Sequence, residues 1–97
     1  MVGSDLTGSL PVQIGDMDSI VRIYLHGNDL HGTIPAEISG AQTLLSLLLS
    51  TNELDGELPE SMGYMPSLRD FRVDSNQMTG TIPASFANLT GLVDLFI

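Results

Sequence analysis

With 97 residues, 42% of them hydrophobic, the chain has material for one structural unit, and with no cysteine it has no disulfide framework. Its formal net charge of −9 argues against nucleic acid and anionic membranes as partners. The absence of lysine excludes a G-x-x-x-x-G-K phosphate loop, Schiff-base chemistry and a kinase domain within this chain, and no apolar run is long enough to span a bilayer.

Along the chain a proline recurs every 24 residues, at Pro11, Pro35, Pro59 and Pro83. Three residues before each stands a glycine (Gly8, Gly32, Gly56, Gly80), and two before that an apolar residue (Leu6, Leu30, Leu54, Met78). Asparagines at Asn28, Asn52 and Asn76 complete the phrase, with Ser4 in the corresponding place of the first copy. A fixed period of this size is the mark of a stacked solenoid. The division is a partial repeat 1–19, repeats 20–43, 44–67 and 68–91, and a partial repeat 92–97.

Within each repeat the elements follow in order. Apolar alternation of period two predicts short parallel strands at about 22–26, 46–50 and 70–74. Ile23 and Leu25, Leu47 and Leu49, Phe71 and Val73, and Leu95 and Ile97 then point inward. The asparagine turns the chain, its amide serving backbone groups that the turn would bury unpaired, so Asn28, Asn52 and Asn76 form a structural ladder. The Gly-x-[Ile/Leu]-Pro phrase is expected to add an extended outer segment. Ile14, Ile38, Met62 and Phe86, with Met17, Ala41, Met65 and Leu89 three residues on, suit one helical or 3-10 turn, and Met17, Met65 and Leu89 are expected to be buried.

The phrase Leu44-x-x-Leu47-x-Leu49-x-x-Asn52-x-Leu54-x-Gly56-x-Leu58-Pro59, matched by the copies that begin at Ile20 and Leu68, resembles the leucine-rich repeat in its 24-residue plant-type form. The resemblance covers the whole chain. It implies an α/β repeat solenoid of about four repeats, with a short parallel sheet on the concave side and 3-10, short helical or extended segments on the convex side. Relatives of this type usually carry cysteine pairs in their caps, so the chain reads as an uncapped internal segment of a longer array. It also implies a protein or peptide interaction module, as in receptor-like ectodomains, extracellular or at the cell surface. The alternatives are a soluble secreted or cell-wall protein, such as an inhibitor of polysaccharide-degrading enzymes, and a structural or surface-binding array hinted by Thr33 and Thr81. Any membrane attachment is expected to lie in flanking segments.

Catalysis is not expected, nor a cofactor. His26, Ser50 and Asp74 share an outward column on neighbouring strands, but a nucleophilic triad needs its histidine between the serine and the carboxylate. The two histidines have no cysteine to complete a zinc site. Asp5, Asp29 and Glu53 are expected to stack in one acidic column with Gln77. All three bases, Arg22, Arg69 and Arg72, fall on the strand segments with Asp70, Asp74 and Asp94, so that face is neutral while the other nine acidic residues lie elsewhere. The resemblance implies that partners bind the concave face. The candidate binding residues there are the stripe Tyr24, Leu48, Arg72 and Phe96, flanked by His26, Asp74, Arg22 and Asp70. Asn88-Leu89-Thr90 is the single N-x-[Ser/Thr] sequence and makes Asn88 a candidate N-glycosylation site, expected on the convex side.

Overall fold

A computed structural model describes residues 7–17 and 19–97 of the chain. Met1, Ser4, Asp5 and Leu6 lie outside the described residues, as does the side chain of Phe96. The chain coils through repeated strand, turn, strand and 3-10 helix. Strands β2 (Arg22–Tyr24), β4 (Ser46–Leu48), β6 (Asp70–Arg72) and β8 (Asp94–Phe96) form one parallel sheet in that order. Strands β1 (Thr7–Gly8), β3 (Asp29–Gly32), β5 (Glu53–Gly56) and β7 (Gln77–Met78) form a second. The inner sheet keeps the 24-residue register, with Arg22 opposite Ser46, Ser46 opposite Asp70, and Asp70 opposite Asp94.

The inner strands begin where the alternation places them and stop two residues sooner. Backbone pairing nevertheless continues past them: Leu25 and Gly27 N–H donate to Leu48 and Ser50 carbonyls, and Leu49 and Thr51 N–H to Arg72 and Asp74 carbonyls. What ends the regular strand is a left-handed residue at one fixed place, Gly27 (φ 72°), Thr51 (φ 58°) and Ser75 (φ 58°). A β-branched threonine tolerates that conformation poorly, so the surroundings must impose it.

The imposing partner is the asparagine that follows. The Asn52 Nδ2 donates to the carbonyls of Leu25 (3.0 Å), Leu49 (3.1 Å) and Ser50 (3.3 Å), while its Oδ1 accepts from Leu30 N–H at 3.1 Å. Asn76 repeats this one step on, donating to Leu49, Val73 and Asp74 carbonyls and accepting from Leu54 N–H. The rungs are therefore shared backbone carbonyls: Leu25 O takes Asn28 and Asn52, and Leu49 O takes Asn52 and Asn76.

Outside the asparagine, two expectations are corrected. The outer strands lie before the glycine and end at or just short of it, because Gly32, Gly56 and Gly80 take φ of 82°, 78° and 81°, where a strand cannot continue. The proline that follows opens the 3-10 helix. Pro35, Pro59 and Pro83 each hold an extended ψ of 130–141°, and their carbonyls accept from Ile38, Met62 and Phe86 N–H. The outer register is also offset by two from the repeat. Asp29 faces Thr7, Glu53 faces His31, and Gln77 faces Asp55, so the acidic column expected from the period does not stack directly. The same 22-residue step appears in the Leu30–Asn52 and Leu54–Asn76 bonds, which fix it.

The 3-10 helices run over Val12–Asp16, Ala36–Gly40, Glu60–Tyr64 and Ala84–Asn88. Their bonds link every third residue, from Ile38 through Ala41 to Leu44 and from Met62 through Met65 to Leu68. Three residues per turn keep that row on one side, and all six are essentially buried. Leu47, Leu49, Leu54 and Phe71 meet them from the two sheets. Met65 and Leu89 are buried, whereas Met17 is 46% exposed, because it sits on the end face of the described stack.

Successive helices touch backbone to backbone. Ser61 and Ser85 hydroxyls donate across to the Ala36 and Glu60 carbonyls at 2.8 and 2.6 Å. A Cβ at Gly63 would overlap the Ser85 carbonyl oxygen and hydroxyl. Gly63→Ala is expected to cost about 1–3 kcal/mol by overpacking. Thermal unfolding checks it; a melting temperature equal to the parent's would show the helices to be loosely stacked.

Candidate functional site on the concave face

Alternation along three-residue strands sends the middle residue of each to the core and its neighbours outward. Ile23, Leu47 and Phe71 are buried, while Arg22 and Tyr24 are exposed and Ser46, Leu48, Asp70 and Arg72 are half-buried. Parallel register then sets these outward residues in columns. Tyr24, Leu48, Arg72 and Phe96 are directly paired across β2, β4, β6 and β8, so the backbone brings the stripe together. His26, Ser50 and Asp74 follow two residues beyond.

A depression of about 270 Å³ lies over this area, lined by His26, Leu48, Ser50, Arg72 and Asp74. At one side the Tyr24 and His26 rings approach to 6.4 Å between centroids, tilted by 59°. At its floor Ser50 Oγ donates to Asp74 Oδ1 at 2.6 Å. The serine hydroxyl thus hydrogen-bonds the carboxylate directly, with no imidazole between to act as base. The His26 Nδ1 is buried and has no hydrogen-bond partner.

Arg72 is held by carboxylates of its own sheet. Its Nε donates to Asp70 Oδ1 at 3.0 Å, and a terminal nitrogen lies 3.7 Å from Asp94 Oδ2. A partner's carboxylate must therefore compete with these two for the guanidinium. Arg22 lies on β2, at the edge of the described sheet, two strands from Arg72. Among the described residues no cluster of three or more metal-ligating side chains occurs, and no helix is long and apolar enough to cross a membrane. Two further depressions, around Leu10, Ile14 and Ile20 and around Leu58, Met78 and Ile82, lie on the end faces of the described stack and expose core side chains.

Of the candidate residues, Asn28 and Asn52 are buried, Asn76 is half-buried, and Asn88 is exposed at the end of the fourth helix. The hydroxyl stitches of Ser61 and Ser85 escaped the sequence reading, although their 24-residue spacing was there to be seen.

Two segments, residues 19–41 and 67–89, match the family model described as Leucine Rich Repeat. No curated protein matches the chain. Among solved structures, the chain superposes over its full length on a TDR receptor, with a TM-score of 0.96 and 29% identity, and spans 17% of that chain. It matches the plant peptide hormone receptor RGFR1 in complex with RGF2 over 95% of its length (TM-score 0.92, 35% identity) and spans 15% of that receptor. It matches the BIR3–SERK2 complex from Arabidopsis thaliana over 98% (TM-score 0.86, 33% identity), covering 53% of the matched chain. The 24-residue period, the asparagine rungs and these superpositions agree: the chain belongs to the leucine-rich-repeat family, in its plant type.

Proposed function

We propose that the chain is a protein- or peptide-binding segment of a cell-surface receptor-like protein, engaged through its concave sheet, with no catalytic role of its own. The observation that carries this is the paired stripe Tyr24–Leu48–Arg72, which offers an aromatic, an aliphatic and a guanidinium on adjacent rungs beside a 270 Å³ depression. Large rigid aromatics and arginine are the residues that concentrate binding energy. On the convex side the helices instead stack closely on one another at Gly15, Gly40 and Gly63. The likeness to a peptide hormone receptor bound to RGF2, and to one member of the BIR3–SERK2 pair, supports a polypeptide partner and a place outside the cell.

The surrounding acidity would speed encounter with neutral or basic partners and slow it with anionic ones. Tyr24→Ala and Arg72→Ala are each expected to weaken partner binding by about 1–3 kcal/mol, and Glu57→Ala on an outer loop to leave it almost unchanged. Calorimetry with a partner recovered by pull-down measures this. Loss of binding in Glu57→Ala with none in the other two would place the site elsewhere.

A further inference from the structure

The convex ridge carries one combination of residues that concave binding leaves unexplained. Tyr64 and Asn88 are the last residues of two adjoining 3-10 helices, Glu60–Tyr64 and Ala84–Asn88. Those helices are joined by the Ser85 hydroxyl on the Glu60 carbonyl and by the close approach of Gly63 to Ser85. Tyr64 is 62% exposed, an aromatic standing in solvent where the first two helices end in Asp16 and Gly40. Asn88 and Thr90 are exposed, while Leu89 between them is anchored in the core at 8% exposure. The two side chains that define an N-x-[Ser/Thr] acceptor are thus presented to solvent beside the aromatic of the preceding repeat.

We propose that Asn88 is N-glycosylated and that the first sugar packs on the exposed face of Tyr64. This rests on the extracellular reading above. In the transfer, the Asn88 side-chain nitrogen attacks the anomeric carbon of an oligosaccharide carried on a polyisoprenyl pyrophosphate. The carbon–oxygen bond to pyrophosphate breaks, a carbon–nitrogen bond forms, and the amide proton leaves with the pyrophosphate. With Leu89 buried and Thr90 N–H tied to the Asn88 carbonyl at 2.9 Å, the folded segment cannot open into a transferase, so the sugar is added before the repeat closes. Once folded, the apolar face of the sugar covers part of the Tyr64 ring, removing aromatic surface from water. The glycan lies on the opposite side of the solenoid from the concave sheet and leaves that face open.

The chain, directed into secretion by a host leader in a glycosylating cell, is expected to lose mass on glycosidase treatment, with Asn88 converted to aspartate in the corresponding peptide. Asn88→Gln and Thr90→Ala, both on exposed side chains, are expected to show no mass loss. An unmodified secreted parent would overturn the site. The melting temperature of the glycosylated parent is expected to exceed that of the deglycosylated form by roughly 2–5 °C. Tyr64→Ala should cut that gap by more than half, and an undiminished gap would overturn the ring contact. Because the leader supplies secretion, these results do not depend on whether the concave face binds a partner.

Discussion

Replacing Phe71 with alanine is expected to destabilise the fold by about 3–5 kcal/mol, the range for deleting a buried phenylalanine. Phe71 is fully buried at the centre of β6, paired to Leu47 on one side and Leu95 on the other. Its ring meets Phe86 of the fourth helix at 6.3 Å between centroids, tilted by 58°. The side chain therefore ties the inner sheet to the convex helices, and neither backbone can collapse into the space it would leave. Domains of this kind are stable by only about 5–15 kcal/mol, so the variant forfeits a large share of the total. Val93→Ala is the control, since Val93 is 76% exposed and its truncation is expected to stay within about 0.5 kcal/mol. Urea unfolding checks both; a Phe71→Ala midpoint no lower than that of Val93→Ala would mean that the two layers are not packed through this ring.

Asn52→Ala is expected to cost about 2–3 kcal/mol, chiefly by stranding one N–H. Loss of the side chain removes four hydrogen bonds, yet the carbonyls are insured by the ladder. Leu25 O keeps Asn28, Leu49 O keeps Asn76, and Ser50 O keeps Gly27 N–H. The Leu30 N–H has Oδ1 of Asn52 and is buried with its residue, so it bears the full penalty of an unmet donor. The local signature should be faster amide exchange at Leu30 than at Leu54, whose N–H is held by Asn76. Equal protection of the two amides in Asn52→Ala would show that the asparagine is an ordinary turn residue.

How much of this was legible in the sequence depends on whether a constraint repeats. The inner sheet, the asparagine rungs and the buried row Ile38, Ala41, Leu44 follow from single-column rules that recur every 24 residues, and the structure keeps that period along the inner sheet. The outer strands did not follow the same rule. Their register is set by asparagine accepting from a neighbouring repeat, a bond between columns that no one column reveals, and it shifted the expected Asp29–Glu53 stack by two residues. Met17 departs from its column because burial depends on what stacks against it. In the candidate site, the outward columns were readable from alternation, but the directions of the side chains were not. Arg72 turns to Asp70 and Asp94 within its own sheet, and Ser50 turns to Asp74. Both choices are made between near neighbours of opposite character, and spacing alone does not decide them.

Amide exchange with and without the recovered partner shows whether the concave sheet is the surface that the partner covers. Partner binding is expected to slow exchange over 22–27, 46–51 and 70–75, the inner strands and the left-handed turn at their ends, and to leave the helices 36–40, 60–64 and 84–88 unchanged. Protection confined to those helices, with the strand segments exchanging as in the free chain, would put the partner on the convex side instead.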